Sequence, residues 1–78
     1  MTDEKAIGKE YETRAKNILK AELKRRGITY KALAELLTAR GMSENERNLN
    51  NKISRGSFTT AFFLMVMDVI GAGQLQLN

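Results

Sequence analysis

From Ala61 to Ile70 nine of ten residues are apolar, and the exception is Asp68. A helix with apolar side chains on every face has to be covered on every face. That demand constrains everything else the chain can do. Its 78 residues make one small domain, with neither cysteine nor histidine. A domain of this size buries a modest share of its surface, and it gets no help here from disulfides or from the usual zinc ligand sets. The preceding helices are therefore expected to cover one side of the apolar helix and a second copy of the chain to cover the other. Phe63, Met67 and Ile70 are the expected interface residues, joined by Leu75 and Leu77 from the tail. The longest uninterrupted apolar run, Ala61–Met67, is far short of the roughly 20 residues that span a bilayer. The first 26 residues contain no apolar run of the kind a signal peptide carries. A cytoplasmic protein with no membrane contact is expected.

Read in order, residues 1–9 are polar and include Gly8, and are expected to form a flexible lead to a single domain over 10–78, with the start of the first helix open between Ala6 and Tyr11. From Glu10 onward Tyr11, Ala15, Ile18, Leu19 and Leu23 follow helical spacing. This first helix ends in Lys24-Arg25-Arg26-Gly27. Three cations there suit the negative end of a helix dipole and equally suit contact with phosphate. Thr29 is placed to cap a second helix over Tyr30–Ala39, with Leu33, Leu36 and Leu37 facing inward and Gly41 beyond its end. Ser43 and Glu46 have capping-box spacing, which predicts a third helix over 44–54 with Leu49 and Ile53 as its core stripe. Arg55-Gly56 makes a turn. Ser57, Thr59 or Thr60 then caps the apolar helix, which Gly71 closes. Residues 73–78 alternate polar and apolar, a short extended signal. The fold class is all-α, four helices with a C-terminal extended segment.

The formal charge of +4 is unevenly spread. Residues 13–56 hold eleven basic side chains against four acidic ones, whereas residues 1–12 have a net charge of −2. A basic block of this kind is the electrostatic footprint of a nucleic-acid binder, and also of an ordinary solvated surface. The third helix is more pointed. Asn45, Asn48, Asn50 and Asn51 fall within seven positions, although Asn is a weak helix former. At about 100° per residue, Arg47, Asn48, Asn51, Ser54 and Arg55 lie opposite Leu49 and Ile53. Side-chain amides in that setting suggest a hydrogen-bonding surface.

Thr29-Tyr30-Lys31-Ala32-Leu33-Ala34 resembles the T-x-x-x-L-A opening of the second helix in the Cro and lambda-repressor class of helix-turn-helix domains. Asn51-Lys52-Ile53-Ser54-Arg55-Gly56-Ser57-Phe58, followed by Phe62-Phe63 and Ile70-Gly71, fits the order of elements in that class. The same stretch is similar to a family of short uncharacterised bacterial proteins. The resemblance spans about residues 13–77. It implies a DNA-binding transcriptional regulator whose third helix enters the major groove, where Asn pairs bidentately with adenine and Arg with guanine. Asn48 and Asn51 would then read bases, and Arg47 and Arg55 would read bases or hold phosphates. Thr29, Lys31, Ser43 and Lys52 would contact the DNA backbone. Two departures from the class are visible. The turn after the second helix is about two residues longer, and Tyr30 or Lys31 stands where the class carries a phosphate-binding Gln.

No nucleophile elbow, phosphate loop or dinucleotide loop is present, and neither catalysis, a cofactor nor a metal is expected. Glu22 and Glu35 are the one candidate carboxylate pair, and each reads as part of a solvated helix face. The expected partners are duplex DNA and a second copy of the chain. The alternative is a protein–protein interaction module that keeps the helix-turn-helix-like fold without binding DNA.

Overall fold

The computed structural model describes residues 3–72. They form four helices: α1 (Glu4–Arg25), α2 (Tyr30–Ala39), α3 (Glu46–Arg55) and α4 (Thr60–Val69), with no strand among the described residues. The expected extended segment, with Leu75 and Leu77, lies outside the described residues.

Each helix start is fixed by a side-chain oxygen that accepts a backbone N–H, an arrangement typically contributing about 1 kcal/mol. Thr29 Oγ1 accepts from Ala32 N at 3.1 Å and Thr59 Oγ1 from Phe62 N at 3.0 Å. Two starts differ from expectation. Asp3 Oδ1 accepts from Lys5 N and Ala6 N, so α1 begins at Glu4 and runs through Gly8 instead of starting near Glu10. At α3 the cap is Asn45, whose Oδ1 accepts from Asn48 N at 2.8 Å. Ser43 lies two residues upstream in the loop, and α3 spans Glu46–Arg55.

Three helix ends share one device. The backbone N–H groups of Gly27 and Ile28 reach back to Lys24 and Leu23, those of Gly41 and Met42 to Thr38 and Leu37, and those of Gly71 and Ala72 to Asp68 and Met67. This is the Schellman pattern, which satisfies the orphan carbonyls and turns an apolar residue back onto the helix. Ile28, Met42 and Ala72 accordingly pack against the core.

α2 packs against both α3 and α4, and α1 packs against α3. The side chains of Leu19, Leu33, Leu37, Leu49, Ile53 and Val66, drawn from all four helices, are fully buried. Leu23, Ala34, Phe62 and Met67 complete the core. The residues of α4 expected at an interface differ in burial within the chain. Met67 is 6% exposed and belongs to the core. Phe63 is half-buried, its ring stacked on Phe58 at a centroid distance of 6.1 Å; Phe58 precedes the cap and staples the first turn of the helix. Ile70 is also half-buried against the core. The large apolar side chain of α4 left in solvent is Leu64, at 60% exposure. Asp68, the polar exception in α4, meets Arg40 at 2.9 Å and ties α4 to the end of α2.

Glu22 also departs from expectation. Its side chain is 4% exposed, and it pairs with Arg25 and Arg26 instead of Glu35. Glu35 is exposed on α2. The hydrogen bond from Arg25 holds the Glu22 carboxyl below the usual carboxylate range; desolvation opposes this and the charges of Arg25 and Arg26 reinforce it. These two arginines of the basic cluster therefore neutralise a carboxylate on the core side of α1.

Candidate nucleic-acid interface

Leu49 and Ile53 pin one face of α3 to the core, so helical geometry turns Arg47, Asn48, Asn51, Ser54 and Arg55 outward. All five are exposed. The four asparagines divide by role. Asn45 caps the helix, and Asn50 Oδ1 accepts from Ser54 Oγ at 3.3 Å. Among the described residues, the side-chain amides of Asn48 and Asn51 have no intramolecular hydrogen bond, and the Arg47 and Arg55 guanidiniums have no ion pair. Asn48 and Asn51 can therefore donate and accept toward an external partner.

Two hollows flank this face. One, of about 490 Å³, runs between α3 and the start of α4, and Ser43, Asn48, Asn51, Lys52, Arg55 and Phe58 are among its lining residues. The other, of about 700 Å³, is lined by Tyr30, Asn45, Glu46, Arg47 and Asn50. Burial pushes the Tyr30 phenol above its usual pKa.

Lys52 has an internal role. Its Nζ lies 2.7 Å from Glu44 Oε2, and the Glu44 side chain is 5% exposed. The same ammonium sits 4.7 Å from the centroid of the Phe62 ring. Lys52 thus bridges the α2–α3 loop, α3 and α4 from one position, and its charge is largely matched by Glu44. Sequence reasoning missed Glu44: it lies outside the helix and eight residues from Lys52, at no spacing that marks a pair.

The remaining expected site residues are dispersed. Ser43, Asn48, Asn51, Lys52 and Arg55 converge on the first hollow, and Arg47 opens on the second. The Thr29 hydroxyl is engaged in capping α2. Lys31 is exposed on α2, beside a shallow surface formed with Glu35, Thr38 and Glu46. Among the described residues there is no cluster of His, Cys, Asp or Glu able to hold a metal ion. No described helix is long and apolar enough to cross a membrane.

These features define a small all-α domain that presents a polar helix with unengaged amides and guanidiniums. Residues 11–75 match a family model described as a domain of unknown function (DUF6471), and the chain belongs to that family. No curated protein and no solved structure matches it.

Proposed function

We propose that the protein binds duplex DNA as a transcriptional regulator, with α2 and α3 acting as a helix-turn-helix and α3 as the recognition helix. The observation that carries this reading is the outward face of α3. Arg47, Asn48, Asn51 and Arg55 are exposed there without intramolecular side-chain partners among the described residues, and they are the residue types that pair with adenine and guanine in the major groove. The basic surface supplies phosphate attraction, with Lys31 and the α2 N-terminus as backbone contacts. Lys52 contributes little charge because Glu44 matches it. As a homodimer, the protein would set two copies of α3 on half-sites about one helical turn apart.

The test is fluorescence anisotropy with random-sequence duplexes between about 50 and 200 mM salt, where three cations per chain (Lys31, Arg47, Arg55) give a log–log slope near −3 per chain. Arg47→Ala and Arg55→Ala should each lower affinity and flatten that slope by about one, with melting temperature unchanged. Affinity unaffected by both substitutions would refute the site.

A second reading is favoured by Leu64 at 60% and Leu36 at 39% exposure: a protein–protein module that does not bind DNA. An apolar interface of that kind would respond weakly to salt, and the duplexes would not bind at the lowest salt.

A further inference from the structure

The first two turns of α1 bury nothing against the rest of the fold. Residues 3–11 are all exposed, and the buried residues of the helix begin at Leu19. A helical segment of about ten residues without tertiary contacts is marginal in water. Gly8 weakens it by about 1 kcal/mol relative to Ala, and a Cβ at that position would meet nothing within 4 Å. This segment nevertheless carries exposed apolar side chains, Ile7 at 42% and Tyr11 at 56%. At about 100° per residue, Ile7, Gly8, Tyr11, Ala15 and Ile18 share one sector of about 100°, and Ala15 and Ile18 are half-exposed. The Arg14 guanidinium lies 4.9 Å from the centroid of the Tyr11 ring. Tyr and Arg are enriched among residues that dominate binding energy.

The charges indicate what covers this stripe. One edge of it carries Glu10 and Arg14, and the other carries Glu12 and Lys16. In a parallel helix pair opposite edges meet, bringing Glu10 toward Glu12 and Arg14 toward Lys16, like against like. In an antiparallel pair each edge meets its own copy. With Ile7 set opposite Ile18 of the partner subunit, Glu10 lies within one residue of the partner subunit's Arg14, twice by symmetry. On the other edge the same register sets Glu12 within one residue of the partner subunit's Glu12, one like pair at the two-fold axis against two attractive pairs. Over the whole helix, the net charge of −2 in residues 1–12 would lie over the basic half formed by Arg14, Lys16, Lys20 and Lys24. Gly8 would let the two backbones approach closely. We infer that the protein self-associates through an antiparallel pairing of α1 with α1 of a second copy, along Ile7, Gly8, Tyr11, Ala15 and Ile18. This inference is independent of DNA binding.

The experiment is sedimentation of the full chain, free of nucleic acid, at about 100 µM, a concentration suited to a small interface. The wild type should sediment at twice the monomer mass. Glu10→Arg and Arg14→Glu should each be monomeric alone, because like charges then face each other across the axis. Mixed in equal amounts they should restore the doubled mass, since arginines on one chain then face glutamates on the other. The Glu10–Arg14 spacing within each helix stays broken in the mixture, so recovery can come only from contacts between chains. Glu10 and Arg14 are both exposed, so both variants should keep the wild-type helical signal. A monomeric wild type overturns the inference, as does a mixture that fails to recover. A dimer indifferent to both variants but abolished by Leu64→Glu would move the interface to α4.

Discussion

Gly56 is where the position of α3 relative to α1 is set, and Gly56→Ala measures how tightly. Two separate penalties apply. The residue sits at φ 73° and ψ 1°, the left-handed region, which costs an L side chain about 1 kcal/mol or slightly more. A Cβ there would also lie 2.5 Å from the Glu12 carbonyl oxygen and 3.0 Å from its carbon. Those are backbone atoms within a helix and cannot rotate away. To reach ordinary contact, α1 and the turn must separate by about 0.9 Å, and overpacking of that order typically costs about 1–3 kcal/mol. The total of about 2–4 kcal/mol should lower the melting temperature by about 10–25 °C in a domain of this length. Gly27→Ala is the matched control. Gly27 has φ 66°, and a Cβ added to it would meet nothing within 4 Å, so it bears the first penalty alone, about 1 kcal/mol. Thermal melts followed by circular dichroism would compare the two. Equal losses would refute the close approach of α1 to the turn and leave only the backbone term.

Glu22→Gln should make stability less sensitive to acid. The native carboxyl pKa lies below its ordinary value of 4.5, so its contribution is present above that value and fades as pH falls through the native pKa. Melting temperatures followed from about pH 6 down to 3 should therefore fall more steeply for wild type than for the variant; parallel curves would remove Glu22 from the acid response. Lys52→Met strands the enclosed Glu44 carboxylate and should cost about 1–2 kcal/mol, less than for a fully buried pair because Lys52 is partly solvated. Adding Glu44→Gln should recover most of that loss, and a strictly additive double variant, read from urea midpoints, would dissolve the proposed coupling. Met67→Glu places an unpaired charge in the core and should unfold the domain, whereas Leu64→Glu should change stability by no more than about 0.5 kcal/mol. Similar denaturation midpoints for the two would contradict the orientation of α4.

The helices and most of their boundaries were readable because local chemistry sets them. Gly27, Gly41 and Gly71 sit just beyond apolar-periodic segments and close them in the structure as the pattern implies, and Thr29 caps α2 from its place before Tyr30. The errors fall where several local solutions compete. Ser43 and Asn45 are both good caps, and the path of the α2–α3 loop selects Asn45. Gly8 reads as a break, yet the Asp3 cap upstream lets α1 run through it. The lone carboxylate Glu22 resembles a surface residue until α1 is packed, when its two arginines three and four positions on become its counterions. The all-round apolar character of α4 suggested a partner chain. Part of that surface is covered within the chain, by the Phe58 staple for Phe63 and by the core for Met67. The internal use of Lys52 could not be read from sequence, because it depends on a loop residue and an aromatic ring brought together only by the fold.

The asparagines of α3 give the most direct link between stability and the proposed function. Each Asn inside a helix costs roughly 0.6 kcal/mol relative to Ala. Asn45, outside the helix at its cap, bears no such cost, and Asn50 offsets its own by accepting from Ser54. Asn48 and Asn51 have no such compensation in the folded chain, a loss of about 1 kcal/mol together, in a small domain whose whole stability is expected near 5 kcal/mol. If these amides serve only as solvated surface, Asn48→Ala/Asn51→Ala should stabilise the protein and change nothing else. If they read bases, the same variant should gain about 1 kcal/mol in urea denaturation and lose about 1–3 kcal/mol of discrimination for each bidentate contact removed. Its salt-dependent affinity for random duplexes should persist, because phosphate attraction does not involve the amides. Measuring stability, random-sequence affinity and selected-site affinity on this variant separates the cases. A gain in stability with undiminished sequence preference would place the reading of bases elsewhere on the molecule.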